Sequence, residues 1–162
     1  MRFLPVALAI TLTLTGCAAT PSTTATTSSA TWKDGACSEV SEGTTLDIQF
    51  EGKIITRCAL KYSGNGWDLI KAAGLSVKGT KKYPTAMACQ IDGLPANLKC
   101  DDTDPTDSYW MYYVSDTGSW QMAMTGAADH KSVCGQAEGW VWTVGTATKV
   151  QLPEPNNFSC KS

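Results

Sequence analysis

The chain has 162 residues and a formal net charge of −2, and hydrophobic residues make up 43% of it. This is enough apolar material for one ordinary domain with its own core. Because the Lys and Arg residues form no stripe and the charge balance is slightly acidic, nucleic acid is not expected as a partner.

The only long apolar run in the sequence follows Arg2 and ends in LTLTGC, residues 12–17. It is too short to cross a bilayer as a mature helix and has the layout of a secretory signal. Its end resembles the lipobox of bacterial lipoproteins, which implies removal of residues 1–16 and acylation of the Cys17 thiol. An ordinary signal peptide, cleaved near Ala18, is the alternative.

Residues 18–31, AATPSTTATTSSAT, have no charge and many hydroxyl groups. Such a segment cannot bury enough surface to offset the entropy lost on ordering. It is predicted to be a flexible tether between the lipid-bearing residue 17 and a single domain, residues 32–162. The expected location is the extracytoplasmic face of a bacterial cell membrane, with attachment through lipid alone.

Seven cysteines occur in the chain, and acylation of Cys17 would leave six. In an exported protein an even number of cysteines indicates disulfides, here three. A thiolate metal site is not expected, because the closest two of the six are separated by ten residues. Fifteen pairings are possible. The turn residues between Cys89 and Cys100 favour that pair first, with Cys37–Cys58 and Cys134–Cys160 as local clamps.

The alternation of apolar residues from Leu46 to Leu60, interrupted at Glu51-Gly52, predicts a β-hairpin. SGNGWDLIKAAG follows and predicts a helix of two to three turns, capped by Ser63 or Asn65 and ended by Gly74. Four short segments rich in aromatic or β-branched residues then predict strands: TAMACQIDG, YWMYYV, SWQMAM and GWVWTV. The order indicates an α+β domain, with one helix across a small mixed sheet that disulfides reinforce.

Residues 46–144 resemble the transcobalamin C-terminal-like domain family. The resemblance depends on GWDLIKAAG, CQIDGLP, YWMYYV, GAADHK and GQAEGWVW, which follow one another in the order and spacing of that family. It implies a β-grasp-like fold. In the animal cobalamin carriers this domain closes over a corrinoid, so the resemblance also implies a corrinoid or another tetrapyrrole as a ligand.

The segment YWMYYV places large side chains on both faces of its strand, because successive side chains alternate. Tyr109, Met111 and Tyr113 share one face, and Trp110, Tyr112 and Val114 share the other. One face is expected to pack on the helix, and the other to be covered or to bind something. The candidates for a stacking platform are Trp110, Tyr112 and Trp120, the last because it lies in a Gly/Ser-rich loop. The alternative is that all these rings belong to the core.

His130 is the only histidine and is a candidate ligand for the metal of a tetrapyrrole; an ordinary surface histidine is the more frequent case. Neither a nucleophile with a base nor an acid–base pair can be assembled, so an enzyme is not expected. DDTDPTD, residues 101–107, fails the EF-hand pattern and is expected to be a solvated acidic turn before a strand.

Two functions remain. The first is a lipid-tethered module that captures a small molecule, such as a corrinoid, and delivers it to a transporter. The second is a structural or protein-interaction domain of the cell envelope, in which all the rings are core. The resemblance favours the first function, only slightly because family membership alone does not fix function, and the second is the alternative.

Overall fold

The computed structural model describes residues 31–101, 107–115, 118–145 and 149–161. The elements in chain order are β1 Trp32–Asp34, β2 Gly43–Phe50, β3 Lys53–Leu60, α1 Gly66–Ala72, β4 Val77–Gly79, β5 Ala88–Ile91, β6 Ser108–Val114, β7 Gln121–Met122 and β8 Ala137–Val144. Six strands form one sheet in the order β1-β3-β2-β8-β6-β7, and β4 pairs with β5 separately. The sheet is mixed, because β2 and β8 are parallel while the other pairs are antiparallel. The α+β class expected from the sequence is therefore confirmed.

The predicted hairpin is β2 and β3. Glu51 and Gly52 join them with positive φ values of 48° and 78°, which is typical of the two-residue turns that match strand twist. The four later strand predictions are confirmed as β5, β6, β7 and β8. Two strands of three residues, β1 and β4, were not predicted. They are too short to show alternation, and only their partners define them.

The predicted helix is α1, with seven residues. Asn65 caps it by accepting a hydrogen bond from the Asp68 N–H at 2.8 Å. Gly74, at φ 77°, ends it in the left-handed conformation that glycine adopts without penalty. The buried face of α1 presents Leu69 and Ile70, each fully buried, to one face of the sheet.

We call this the helix face of the sheet. Along β2 it presents Leu46 and Ile48, whereas Asp47 and Gln49 project to the opposite face. Over β2 and β8 the opposite face is covered by residues 149–161, which we call the C-terminal strap. The hydrophobic core lies between the sheet and α1.

The strap is held by hydrogen bonds to side-chain amides, and not by the main-chain hydrogen bonds that join neighbouring strands. The Gln49 amide donates to the Lys149 carbonyl at 2.8 Å and accepts from the Gln151 N–H at 2.6 Å. Asn157 contacts Ser115 with both its amide oxygen and its amide nitrogen. The strap therefore lies over the polar side chains of β2 without extending the sheet.

The three expected disulfides are present. Cys37 pairs with Cys58, Cys89 with Cys100 and Cys134 with Cys160, at sequence separations of 21, 11 and 26 residues. The first joins the segment after β1 to β3, the second closes the β5 region, and the third fastens the strap. Closing loops of these lengths disfavours the unfolded chain by about 3 kcal/mol each.

Residues 1–30 and 102–106 are outside the described residues. The proposed lipid site at Cys17, the tether and most of the acidic stretch therefore have no structural counterpart here. Among the residues that the structure describes, no helix has the length and hydrophobicity that a membrane crossing requires.

Candidate functional site

Strand β6 divides its side chains between the two faces of the sheet. Trp110 and Tyr112 lie on the helix face, where they are 6% and 8% exposed. Trp110 is opposite Trp142, with ring centroids 5.5 Å apart, and Tyr112 is opposite Trp140, with centroids 4.9 Å apart. These four rings pack on one another and form part of the core.

Trp120 lies on the other face of the sheet. A Cβ atom built on Gly139 would be 3.2 Å from the Trp120 ring. Since Gly139 alternates with Trp140 along β8, this contact is on the face opposite Trp140. The Trp120 indole N–H donates to the carbonyl of Pro153, in the strap, at 2.6 Å.

Trp110, Tyr112 and Trp120 therefore do not form one exposed surface of the kind that the stacking platform requires. Two of the three side chains are buried, and the third is on the opposite side of a sheet. The Gly/Ser-rich loop made Trp120 a candidate, but a sequence does not indicate on which side of a sheet the side chain of a loop residue lies. The loop residue is instead used to hold the strap.

The exposed side of β6 carries a row of tyrosine and methionine side chains that the sequence reasoning did not select. The row consists of Tyr109, Met111, Tyr113 and, on β7, Met122, which pairs with Tyr113. Tyr109 is 42% exposed and Met122 is 57% exposed, while Met111 and Tyr113 are half-buried. We call this surface the Tyr–Met row. Alternation along YWMYYV was the available signal, but it did not indicate which face would be buried.

Within the Tyr–Met row the side chains contact one another. The Tyr113 hydroxyl donates to the Met111 sulfur at 2.8 Å. Partial burial, with a smaller effect of nearby Tyr109, raises the pKa of Tyr113 above its ordinary value. Tyr113 therefore remains a neutral donor at physiological pH. Tyrosine and methionine are enriched in protein interfaces, and methionine adapts its shape to different partners.

The outer edge of β6 lies beside this row. Strand β7 pairs only with Tyr113 and Val114, and the Ala123 N–H reaches the Tyr112 carbonyl. From Ser108 to Met111, β6 has no strand partner on this side among the described residues. Such an edge can pair with an extended segment of another chain.

His130 lies in a cluster with Glu138 and Tyr112. The Glu138 carboxylate is buried, accepts a hydrogen bond from the Tyr112 hydroxyl at 2.5 Å, and is 3.7 Å from His130 Nε2. The His130 side chain is 19% exposed. The His130 carbonyl also accepts from the Gly66 N–H at 3.1 Å, so this loop is joined to the first turn of α1.

The chemistry of this cluster is that of a carboxylate held between a phenol and an imidazole. It positions the 126–131 loop against α1. In the part of the chain that the structure describes, no group of three or more His, Cys, Asp and Glu side chains could hold a metal ion. The role of His130 as a ligand for the metal of a tetrapyrrole needs only one imidazole and stays a prediction.

A second buried carboxylate, Asp47, lies on the strap face of β2. It is 3% exposed and accepts a hydrogen bond from Thr56 Oγ1 at 2.5 Å. Burial raises the pKa of Asp47 to about 6, and the hydrogen bond from Thr56 opposes part of that increase. The group is therefore ionised at neutral pH at a cost in stability.

A cleft of about 390 Å³ lies between residues 133–136 and residues 157–159, beside the Cys134–Cys160 disulfide. Among the described residues that line it, Phe158 is the only aromatic one. None of the four rings of the aromatic core borders it, so it provides no stacking site for a tetrapyrrole between tryptophans.

Comparison with models of protein families, with curated proteins and with solved structures finds no match to this chain.

Proposed function

We propose that this chain is a non-catalytic, lipid-anchored interaction domain on the extracytoplasmic face of a bacterial cell membrane, and that the Tyr–Met row contacts another protein of the envelope. The observation that carries the proposal is the division of β6. The side chains of Trp110 and Tyr112, on one face, are buried in the core, whereas those of Tyr109 and Met122, on the other face, are accessible to solvent.

The anchor in this proposal is Cys17, for the reasons that the apolar run and LTGC supply. Three disulfides among the remaining cysteines support an oxidising location, because such bonds form and persist outside the cytosol. Replacement by Cys17→Ser is expected to abolish metabolic labelling with a fatty acid. Label that persists on another residue would contradict the anchor.

Capture of a corrinoid is less well supported by the geometry. It needs accessible rings, and the best ring pairs of this fold, Trp110 with Trp142 and Tyr112 with Trp140, are covered by α1 and its neighbours. We propose that the resemblance to transcobalamin C-terminal-like domains reflects a shared β-grasp-like arrangement of hairpin, helix and strands. Function need not accompany a shared fold.

A protein partner suits the chemistry of the row. Tyr109 and Tyr113 offer apolar rings with hydroxyl groups, and Met111 and Met122 offer flexible apolar contacts. The neighbouring edge of β6 adds main-chain groups that can pair with an extended segment. Aromatic and methionine side chains beside such an edge provide both affinity and side-chain recognition.

Site-specific photo-crosslinking in living cells tests the proposal. A photoreactive amino acid at Met122 is expected to give a discrete adduct with another protein, and the adduct should weaken when Tyr109→Ser is added. Val40, which is 98% exposed, is the matched control because it is an exposed apolar residue away from the row. Absence of an adduct at Met122, or the same adduct from Val40, would contradict the proposal.

A further inference from the structure

The three disulfides that the structure describes differ in their exposure to solvent. The cysteines of Cys37–Cys58 and Cys89–Cys100 are between 0% and 4% exposed. Both cysteines of Cys134–Cys160 are partly exposed. Because an attacking thiolate must reach one of the two sulfurs, exposed disulfides are the ones that reductants break most readily. Cys134–Cys160 is therefore the most accessible of the three bridges.

The cleft of about 390 Å³ between residues 133–136 and residues 157–159 gives access to one end of this bridge. Among the described residues that line the cleft, Cys134 is the one cysteine. In an exchange reaction the attacking sulfur bonds to one sulfur of the disulfide and expels the other. Attack through the cleft therefore falls on Cys134 Sγ, and Cys160 Sγ is the leaving group.

The bridge fastens the end of the strap. Beside it, the Phe158 N–H donates to the Gly135 carbonyl at 2.9 Å, and the Lys161 N–H donates to the Glu42 carboxylate at 2.6 Å. The second of these hydrogen bonds is exposed to solvent. Because water competes for such groups, each bond contributes only a small net free energy. Residues 158–161 therefore depend mainly on the disulfide to remain in place.

The strap covers an apolar side chain beside the Tyr–Met row. Val141 is fully buried, and it lies on the strap face of β8 because it alternates with Trp140. Its neighbour on β2 is Gln49, whose amide binds the strap, and its neighbour on β6 is Met111, in the Tyr–Met row. Release of the strap would therefore add Val141 to the accessible surface next to Met111.

We propose that Cys134–Cys160 is a thiol–disulfide exchange site, at which a dithiol reductant frees the end of the strap and uncovers Val141. The exchange itself is independent of the partner proposed above. Its effect on partner binding, a larger apolar surface at the Tyr–Met row, rests on the proposed function.

The exchange has two steps. One thiolate of the dithiol attacks Cys134 Sγ and forms a new S–S bond, while Cys160 Sγ leaves with the electron pair of the broken bond and takes a proton from water. The second thiolate of the dithiol attacks the reductant's own sulfur in this mixed disulfide and expels Cys134 Sγ, which also takes a proton. The protein gains two electrons and two protons, and the dithiol is oxidised to a disulfide.

Differential alkylation of the mature chain, residues 17–162 with Cys17→Ser, measures exchange at each bridge. The folded protein is treated with limiting dithiothreitol, and new thiols are blocked with N-ethylmaleimide and located by peptide mass spectrometry. Cys134 and Cys160 are expected to be labelled at least about tenfold faster than the other four cysteines. Reduced thioredoxin, used in parallel, distinguishes a protein dithiol from a small one. Equal rates at the three bridges with both reductants would overturn the proposal.

A substitution in the cleft tests the route of attack. Ser159→Trp fills the cleft and should slow labelling of Cys134 by more than about threefold. Asn156→Trp is the matched control, because Asn156 is also an exposed residue of the strap but lies outside the lining. The two buried bridges report whether each variant is folded. An unchanged rate in Ser159→Trp, or equal slowing in Asn156→Trp, would overturn attack through the cleft.

The release of the strap is measured at Val141. When Cys134→Ser and Cys160→Ser remove the bridge, a thiol introduced by Val141→Cys should react with N-ethylmaleimide at least about tenfold faster than in the bridged protein. A thiol introduced by Ile48→Cys, on the helix face, should not react faster. No change at position 141, or equal acceleration at both positions, would overturn selective release. These measurements use purified protein without a partner, so their failure is distinguishable from failure of photo-crosslinking at Met122.

Discussion

Trp110 and Trp142 occupy directly opposed positions on β6 and β8, and their rings meet edge to face with centroids 5.5 Å apart. Phe50 is 6.0 Å from the first ring and 6.1 Å from the second. Three aromatic rings thus close one end of the core. The adjacent residue on β6, Tyr109, points away from all of them and is 42% exposed.

Neighbouring substitutions on β6 should therefore differ sharply. Trp110→Ala removes a buried ring from this cluster and is expected to cost about 3–5 kcal/mol in the free energy of unfolding. Tyr109→Ala, the matched change one residue away, should cost under about 1 kcal/mol. Chemical denaturation of the two variants measures both values, and similar losses for both would show that the faces are not divided as described.

Gly66→Ala is expected to destabilise the protein although alanine is the better helix former. A Cβ atom at Gly66 would be 2.2 Å from the Tyr112 hydroxyl and 2.5 Å from the Glu138 carboxylate. Displacing those two groups should cost about 1–3 kcal/mol, which exceeds the gain in helix propensity of about 1 kcal/mol. Gly126→Ala is the control, because the nearest atom to its Cβ is at 4.0 Å. Equal melting temperatures for Gly66→Ala and Gly126→Ala would contradict the close contact at Gly66.

The raised pKa of Asp47 predicts that the free energy of unfolding depends on pH. Its pKa is raised from 3.8 to about 6, so the folded state binds the proton more tightly than the unfolded state. The stability contributed by the protonated group is full below about pH 4 and is lost as pH rises through 6, by on the order of 3 kcal/mol. Asp47→Asn should make the protein more stable above pH 6 and flatten this part of the profile.

The matched variant for Asp47 is Glu154→Gln, which removes an exposed carboxylate from the strap. Urea unfolding between pH 4 and pH 8 should give a profile with the wild-type slope for Glu154→Gln. If Asp47→Asn retains that slope as well, another group is responsible for it.

Trp120 is expected to stabilise the packing of the strap against the sheet. Trp120→Phe keeps a ring near Gly139 but removes the N–H that donates to Pro153, and should cost about 1 kcal/mol. Trp120→Ala removes both contacts and should cost about 1–3 kcal/mol. Limited proteolysis of residues 149–159 should be faster in the alanine variant, while the Cys134–Cys160 bond still holds the end. Unchanged proteolysis would mean that the ring does not hold the strap.

Much of the fold was predictable because it depends on local signals. The period-2 alternation of residues 46–60 with its Glu51-Gly52 turn identified the hairpin, and Asn65 with Gly74 bounded the helix. The disulfide partners were predictable because each bridge closes a short loop within the chain. These features require no knowledge of which elements meet in three dimensions.

The candidate site was not predictable because it depends on which elements meet in three dimensions. YWMYYV carries large side chains on both faces, so hydrophobicity could not distinguish the face that α1 covers. The position of α1 decides that Trp110 and Tyr112 are core and that Tyr109 and Met111 are accessible. The strap is similar, because residues 149–161 show no strand pattern and their place depends on Gln49 and Trp120.

The central claim is that the aromatic rings of this domain stabilise it and that its function is carried by the Tyr–Met row. Titration of the mature chain with corrinoids, haem and glycans, followed by tryptophan fluorescence, tests this most directly. The account predicts no saturable change in fluorescence with any of them, because the four rings of the core are buried. A saturable change that Trp120→Phe or Tyr112→Phe abolishes in a folded protein would contradict it and restore a ligand-capture function.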